Sequence, residues 1–457
     1  MKDKLKALLS NPACDYLEIR VEDTSRTDFR FQGPRLEELN ERRSGGAAIR
    51  ALVKGCWGFV TLDDLSQLEE GVNRAIQGAE AAALVAPGAS TMAPVDATEA
   101  SFTISPLNDP RDVPLEEKIN LFKGYNDRVL AREGVTSSLA YYFDEYTKRT
   151  FANSEGSYIE REILDMACAI AAICTRDGDT RTGRVSQGST NDFNVFRGLE
   201  AEVDHAVDEA LAKLDAPVIS SGTYTVVCDP HLAGVFVHEA FGHLSEGDNI
   251  ADDKAMQEVL TIGRTFGEDF LTIYDSGLDD GKRGFIPVDD EGVPTEKTML
   301  IENGKLVGRL HSRETAGKLG EKPTGSARAI SYRHPPIPRM RNTCIAPGPH
   351  GSLEDMIKDV ELGVYAVDAS GGQTNGEVFT FTAGDAFMIR NGKLAERVKD
   401  VTIGGNVFET LANIDRIGSE FGNRDSAGGC GKAGQMPLPV SHGSPHIRIK
   451  DCVIGGQ

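Results

Sequence analysis

Two histidines and a glutamate in the run His238-Glu239-Ala240-Phe241-Gly242-His243 have the side chains needed to bind a metal and activate water. Neutral imidazole is a common zinc ligand, and a catalytic zinc site keeps one position open for a water whose pKa falls to about 7. A carboxylate beside the first histidine can accept a proton from that water, and Glu239 occupies this position. The run therefore predicts a metal-dependent hydrolytic site.

The spacing of the two histidines constrains the helix that carries them. In the familiar zinc helix the histidines stand at i and i+4, about 40° apart around the axis, whereas an i+5 pair on an ideal helix diverges by about 140°. His238 and His243 can share an ion only if the helix widens by one residue in a π-bulge or breaks at Gly242. The alternative is that both are ordinary, partly buried histidines of an amphipathic helix.

The segments around the run predict how it is positioned. Residues 224–228 read as a strand, Asp229-Pro230 as a helix start, and Gly247-Asp248 as the turn that follows the helix. Further along, Asn303-Gly304 and Asn391-Gly392 each lie between apolar flanks, a composition that permits positive φ at both central positions of a type I′ turn. Two similar hairpins are predicted, and they favour an antiparallel sheet.

The first half of the chain has a different pattern. Residues 1–9 and 115–132 have helical spacing, residues 16–22 alternate as a strand does, and residues 199–214 form a closing helix. At 457 residues the chain exceeds one ordinary core. We predict an α+β protein with two domains: residues 1–215 form a mixed α/β domain, and residues 216–457 form a domain dominated by antiparallel sheet that carries the histidine helix.

Composition and charge exclude several classes of protein. The formal net charge of −21 disfavours contact with a phosphate backbone, so no nucleic-acid partner is expected. The eight cysteines are scattered without a CxxC pair, which favours reduced thiols. The N-terminal stretch carries charges through its apolar part, and no window approaches the roughly 18 apolar residues of a membrane span. The expectation is a cytoplasmic protein with no membrane partner.

Longer blocks of sequence resemble a known family. The segment HEAFGHLSEGD is similar to the metal motif of the TldD half of the TldD/PmbA family, whose members are also described as modulators of DNA gyrase. Residues 288–294, 300–304, 337–343 and 430–435 also resemble family blocks and occur in the family's order. The resemblance covers nearly all of the chain and is strongest over residues 225–436.

The resemblance implies a zinc metallopeptidase that hydrolyses unfolded or extended peptides in a cleft. It implies one zinc per chain, with His238, His243 and Cys430 as ligands and Glu239 as the catalytic base. A thiolate suits zinc, although a small cysteine between glycines also fits an ordinary turn. The other candidate ligands are Glu246, His442, His446 and Cys452.

The resemblance also implies an assembly. Residues 216–457 would form the metallopeptidase domain, and residues 1–215 would contribute to the substrate cleft and to dimer contacts. The expected partner is a second copy or a PmbA-type (TldE) chain that lacks the metal motif. Two other functions stay open: a peptide-binding or regulatory subunit with a structural metal, and modulation of gyrase or DNA, which fits poorly with the acidic charge.

Three further groups of residues carry expectations. Asp289, Asp290 and Glu291 form an acidic cluster that we expect in a solvated hairpin turn. Arg339 and Asn342 are expected either to pair with substrate or to brace the site, and bracing is favoured because a buried arginine generally needs fixed partners. The run Gly371-Gly372-Gln373 is expected to border a groove in which an extended substrate gains main-chain hydrogen bonds.

Overall fold

A long, twisted sheet dominates the N-terminal half. The computed structural model describes residues 1–10, 13–85, 88 and 90–455. The strands of this sheet are β1 (Tyr16–Gln32), β2 (Arg35–Val53), β3 (Cys56–Leu62), β4 (Glu99–Phe102), β5 (Ser137–Asn153), β6 (Tyr158–Arg176) and β7 (Asp179–Ser189). Their order is β3-β2-β1-β5-β6-β4, with β7 also paired to β6. The pairings are antiparallel except that β4 runs parallel to β6.

Helices cover one face of this sheet. They are α1 (Lys2–Leu9), α2 (Leu68–Val85), α3 (Leu115–Leu130) and α4 (Glu200–Asp215). Because side chains alternate along a strand, the odd-numbered apolar residues of β1, such as Ile19 and Phe29, pack beneath the helices. The even-numbered Glu18, Arg20 and Glu22 point to the other face, where they are also buried. The C-terminal half covers this charged face.

The C-terminal half consists mainly of strands. They are β8 (Gly222–Cys228), β9 (Ile273–Ser276), β10 (Lys297–Glu302), β11 (Lys305–Leu306), β12 (Ala327–Arg328), β13 (Ile337–Pro338), β14 (Asn342–Ile345), β15 (Leu362–Asn375), β16 (Val378–Arg390), β17 (Lys393–Val398), β18 (Thr402–Asn406), β19 (Ile414–Ile417), β20 (Gly422–Arg424), β21 (Cys430–Lys432), β22 (Gln435–Leu438), β23 (Ser441–Ser444) and β24 (Ile447–Gly455). The helices are α5 (Pro230–Val237), α6 (Lys254–Val259), α7 (Arg313–Leu319), α8 (Leu353–Ile357) and α9 (Val407–Ala412).

Two sheets enclose the C-terminal core. One has the order β15-β8-β24-β18-β16-β17, and because β15 also pairs with β16, five of its strands close into a ring. The other has the order β11-β10-β9-β14-β23-β20. Helix α5 packs in the core between them, where Leu232, Phe236 and Val237 are buried. The metal motif follows directly from the end of α5, so both sheets fix its position.

Both predicted hairpins are present, and the α+β class is confirmed. Asn303 and Gly304 turn β10 into β11 with φ of 50° and 74°, and Asn391 and Gly392 turn β16 into β17 with φ of 50° and 76°. These positive values suit the type I′ turn that the sequence indicated. None of the helices in the described part of the chain is long and apolar enough to cross a membrane.

Candidate metal centre

A widened turn of helix carries the two histidines. Helix α5 begins at Asp229, whose carboxylate accepts a hydrogen bond from the Leu232 N–H at 2.8 Å, with Pro230 in the first turn. The helix continues as a π-helix over His238–Gly242, and the His243 N–H donates to the His238 carbonyl. An i→i+5 bond brings residues five apart into register. Of the two geometries that the spacing allowed, a π-bulge or a break at Gly242, the structure has the π-bulge.

Gly242 allows this turn to pack closely. A Cβ atom at Gly242 would lie 2.0 Å from the Sδ atom of Met340, a distance that no side chain can adopt. Met340 lies two residues before the first residue of β14 and is itself fully buried. The glycine therefore lets the π-helical turn lie against the second sheet without a gap.

His238, His243 and Cys430 come together in three dimensions. One ligand atom from each lies within 4.8 Å of the other two. The Cys430 Sγ is 3.4 Å from His243 Nε2, and the two imidazole rings are 5.2 Å apart between centroids, nearly perpendicular. His238 and Cys430 are buried, whereas His243 is partly exposed. We call these three residues the centre.

The electrostatics of the centre favour a thiolate. Burial raises the pKa of the Cys430 thiol, but the neighbouring His238 and His243 lower it to about 5. Burial lowers the pKa of His243, while Cys430 and Glu246 raise it to about 10. In addition, the buried Nδ1 of His238 has no hydrogen-bond partner among the described residues. The two imidazoles and the thiolate form a set of metal-donor groups that fits zinc, and the unpaired nitrogen belongs to the imidazole of His238.

Glu246 supports His243 rather than joining the centre. Its side chain is fully buried, and Oε2 lies 3.0 Å from His243 Nδ1 and 2.8 Å from the Lys432 ammonium. Burial raises the pKa of this carboxyl, but Lys432 and His243 lower it to about 2. A carboxylate on Nδ1 fixes the ring so that Nε2 faces the centre. The sequence analysis missed this role, although the i,i+3 spacing after His243 was a signal for it.

Arg339 braces the strand that carries Cys430. The guanidinium of Arg339 is fully buried and donates to the Cys430 carbonyl at 2.8 Å and to the Gln435 carbonyl at 3.3 Å. These residues lie on the paired strands β21 and β22. Bracing was the expected role for Arg339. Asn342 also acts within the fold, where it donates to the Asp279 carboxylate at 2.7 Å.

The other candidate ligands lie outside the centre. His442 is the nearest, with its ring 6.4 Å from that of His238 between centroids, but its donor atoms do not join the cluster. The Nε2 of His446 is 3.2 Å from the Tyr365 hydroxyl. Cys452 is buried in the C-terminal core.

Glu239 faces a cavity beside the centre. Its carboxylate is about a quarter exposed, and Oε2 lies 3.9 Å from His243 Nε2. The cavity has a volume of about 530 Å³, and its walls include Gly371 and Gly372 of β15 and His442. Gly371 therefore lies where the sequence analysis expected a groove.

A free strand edge forms part of this cavity. Strand β15 pairs with β8 only at residues 363–366, and beyond them its second edge has no strand partner in the described part of the chain. Residues 370–373 are exposed, and the register with β16 shifts between Ala369 and Gly371. Such a bulge bends a strand and is frequent beside active sites.

The acidic cluster of Asp289, Asp290 and Glu291 is not solvated, so that expectation was wrong. All three side chains are buried, with exposures of 3%, 2% and 1%. Asp290 bonds Arg149 at 2.7 Å and Arg161 at 2.6 Å, and Glu291 bonds Arg50 at 2.8 Å. These arginines lie on the charged face of the N-terminal sheet. We call the three residues the acidic turn, because it joins the two halves of the protein.

Comparison with known sequences identifies the family. A profile described as the PmbA/TldA metallopeptidase C-terminal domain matches residues 221–456. Profiles for domain 1 and the central domain of the same metallopeptidases match residues 17–83 and 108–214. The chain belongs to the PmbA/TldD family. The resemblance seen in the sequence is thereby confirmed.

Named relatives of this PmbA/TldD chain are metalloproteases. A protein of Synechocystis named as a metalloprotease is 42% identical, and the match covers 97% of this chain and 95% of the relative. A protein of Saccharolobus solfataricus named as a zinc metalloprotease TldD homolog is 30% identical over 90% of each chain. The crystal structure of TldE from Thermococcus kodakarensis shares the fold, with a TM-score of 0.77 at 18% identity over the full length of both chains.

Proposed function

We propose that this protein is a zinc-dependent metallopeptidase that hydrolyses extended peptides. The observation that carries the proposal is the arrangement of the centre. Two imidazoles and a thiol of low pKa lie together, and the neighbouring Glu239 side chain lines a cavity. His238, His243 and Cys430 would hold one zinc ion. The naming of relatives as metalloproteases, one of them zinc-dependent, supports the same function.

The residues of the chain divide the work of hydrolysis. Zinc, when bound by three protein ligands, supplies Lewis acidity that makes water a nucleophile near neutral pH and polarises the scissile carbonyl. Glu239 takes the proton of the attacking water and then gives it to the leaving amine. Glu246 holds His243 in the orientation that presents Nε2, and Arg339 holds the Cys430 backbone.

The substrate class follows from the wall of the cavity. The unpaired edge of β15 at residues 370–373 offers N–H and C=O groups to a peptide lying beside it. A peptide added as a strand gains main-chain hydrogen bonds that do not depend on its sequence. Most strands of a folded protein are already paired or covered, so unfolded or extended peptides are the expected substrates.

A peptide-binding subunit with a structural metal is the competing function. Structural zinc is held by four protein ligands, whereas the described residues offer one cluster of three. The arrangement therefore favours catalysis.

Metal content and peptide hydrolysis, measured on the same preparations, test the proposal. The wild type should contain about one zinc per chain and cleave an unfolded protein such as reduced casein. The Cys430→Ser and His243→Ala variants should lose the zinc. The Glu239→Gln variant should keep the zinc but lose roughly 10²–10⁴-fold in turnover, the usual contribution of a general acid–base group. Full turnover in Glu239→Gln would remove Glu239 from this role, and wild type without zinc would remove the metallopeptidase.

The assembly expected from the family remains a prediction. Sedimentation of the purified chain, alone and with a PmbA-type chain from the same source, distinguishes a homodimer from a heterodimer. The absence of a nucleic-acid partner also remains a prediction, and titration with duplex DNA at low salt tests it.

A further inference from the structure

The loop that leads to Cys430 is held partly by the N-terminal sheet, directly through Ser186 and indirectly through Asp165. Residues 425–429, which we call the cysteine loop, run directly into β21, and Cys430 is the first residue of that strand. Three of the loop's residues, Ser426, Ala427 and Gly428, line the cavity that Glu239 faces. With the sequence Asp-Ser-Ala-Gly-Gly, the loop has few side chains with which to fix itself. Asp425 anchors the start of the loop by accepting hydrogen bonds from the Ser441 hydroxyl and the Arg283 N–H. The residues that follow depend on contacts from other segments.

Arg283 provides two of these contacts. Its guanidinium is buried, and Nη1 donates to the carbonyls of Ser426 and Gly428, both at 2.5 Å. The other side of the guanidinium is held by Asp165 of β6, with Nε and Nη2 donating at 2.6 and 2.7 Å. Such a two-bond pair fixes the plane of the guanidinium. Arg283 thus links the N-terminal sheet to the cysteine loop.

Gly188 of β7 leaves the space for this arginine. A Cβ atom at Gly188 would lie 2.4 Å from the Cδ atom of Arg283. The side chain of Arg283 therefore packs against the N-terminal sheet at a point where β7 presents no side chain.

Ser186 of the N-terminal strand β7 provides a third contact to the cysteine loop. Its hydroxyl oxygen accepts a hydrogen bond from the Ala427 N–H at 2.7 Å, and the hydroxyl lies 3.2 Å from the Cys168 carbonyl, to which it donates. The loop is thus held at residues 426, 427 and 428, two to four positions before Cys430. Arg339 fixes the Cys430 carbonyl from the other side.

We propose that Asp165, Ser186 and Arg283 are positioning residues for the metal-binding thiolate, so that the N-terminal sheet controls how tightly the centre holds zinc. The proposal rests on the zinc site proposed above. Residues that hydrogen-bond a metal ligand directly usually change metal affinity by 10–100-fold when they are altered. These three residues act two to four positions before the ligand, so an effect at the lower end of that range is expected. The N-terminal half would then help to position the metal ligand Cys430, because Ser186 and Asp165 hold the loop that precedes it.

Zinc affinity and the cobalt spectrum of four proteins test this inference: wild type, Ser186→Ala, Asp165→Asn and the control Ser189→Ala. Ser189 lies on the same strand β7, is buried, and accepts N–H bonds at 3.2 and 3.0 Å from Asn191 and Asp192 rather than from the cysteine loop. Zinc affinity is measured by competition with a chromogenic chelator. Replacement of zinc by Co²⁺ gives a thiolate-to-cobalt charge-transfer absorption that reports on the Cys430 bond directly.

Ser186→Ala and Asp165→Asn should each bind zinc about tenfold or more weakly and show a shifted or weakened charge-transfer absorption. Ser189→Ala should match the wild type in both measurements. Wild-type affinity and spectrum in Ser186→Ala, a variant that removes only one hydroxyl, would overturn the positioning role even if Asp165→Asn fails to fold. A wild-type protein that binds no zinc would overturn the metal site itself, whereas tight zinc in the wild type and all variants would overturn only the positioning role.

Discussion

The centre and the acidic turn are both clusters of ionisable side chains that are mostly buried, but they differ in how fully their hydrogen-bonding groups are satisfied. In the acidic turn, Asp290 accepts from Arg149, Arg161 and the Ala329 N–H, and Asp289 accepts from the N–H groups of Glu291, Val293 and Ala327. In the centre, the His238 Nδ1 has no hydrogen-bond partner within the described residues, and Glu239, which lies beside the centre, lines a cavity. Burial of charge is common to structural and functional clusters.

The comparison indicates that unfilled hydrogen-bonding capacity, and not burial of charge, distinguishes the functional cluster. A buried charge whose hydrogen-bonding capacity is filled by fixed partners has no capacity left for a ligand. A cluster beside an open cavity that contains a nitrogen without a hydrogen-bond partner, such as His238 Nδ1, can still bind a ligand. Perturbed pKa values occur in both regions, so they do not separate the two by themselves.

A substitution in the acidic turn should destabilise the protein strongly. Asp290→Asn removes the charge that pairs with Arg149 and Arg161, and leaving buried arginines without their partner costs about 3–5 kcal/mol. The free energy of unfolding in urea should fall by this amount, while zinc content stays at the wild-type level. As a control, Glu396→Gln breaks the exposed pair with Arg390 and should leave the free energy of unfolding nearly unchanged. Equal stability of the two variants would contradict the structural role of the acidic turn.

The pH dependence of stability should follow the same carboxyl. Burial raises the pKa of Asp290, but Arg149, Arg161 and Arg20 hold it well below its ordinary value. A depressed folded-state pKa contributes stability above the unfolded-state pKa of about 3.9, and that contribution is lost as the pH falls further. The free energy of unfolding of the wild type should therefore decline more steeply below about pH 4 than that of Asp290→Asn. Parallel curves for the two proteins would contradict this assignment.

On the functional side, Glu246→Gln should weaken zinc binding by about 10–100-fold, because a neutral amide no longer raises the basicity of His243. Chelator competition measures the affinity. Asp248→Asn is a matched control, since Asp248 also bonds Lys432, at 2.6 Å, but does not contact His243. An equal loss of affinity in both variants would assign the effect to Lys432 instead.

Local patterns predicted much of the fold and part of the centre. Because helical geometry is local, the i+5 spacing of His238 and His243 left two possibilities for a shared ion, a π-bulge or a break at Gly242, and the structure has the first. The two Asn-Gly turns and helices α3 and α4 were equally local signals. The predicted boundary near residue 215 stays a prediction, since the family profiles divide the chain into three parts.

The burial of the acidic turn and of Glu246 could not be predicted from the sequence, because it depends on tertiary contacts. The acidic turn looked solvated because its cationic partners are more than 120 residues away in the chain. Glu246 looked like a turn residue, yet Lys432 and Met340, both distant in sequence, enclose it. Whether a charged residue is buried depends on partners that no window of sequence contains.

The smallest expected effect concerns the free edge of β15. A Cβ atom at Gly371 would meet no heavy atom within 4 Å, so Gly371→Val should change the free energy of unfolding by no more than about 0.5 kcal/mol. The added side chain would nevertheless obstruct the cavity wall where a peptide strand is proposed to lie. Loss of one main-chain hydrogen bond, worth about 0.5–1.5 kcal/mol, corresponds to roughly a two- to tenfold fall in kcat/KM.

Gly376→Ala is not a suitable control for this measurement, because Gly376 has a positive φ of 60° and the substitution introduces strain. Gly124→Ala on α3 is suitable, because a Cβ there also meets no atom within 4 Å and the helix lies on the far face of the N-terminal sheet. Kinetics on an unfolded protein substrate should separate the two variants, with only Gly371→Val impaired. Unchanged kcat/KM in Gly371→Val would exclude this edge as the peptide-binding strand while leaving the zinc site and Glu239 untouched, since neither depends on where the substrate backbone pairs.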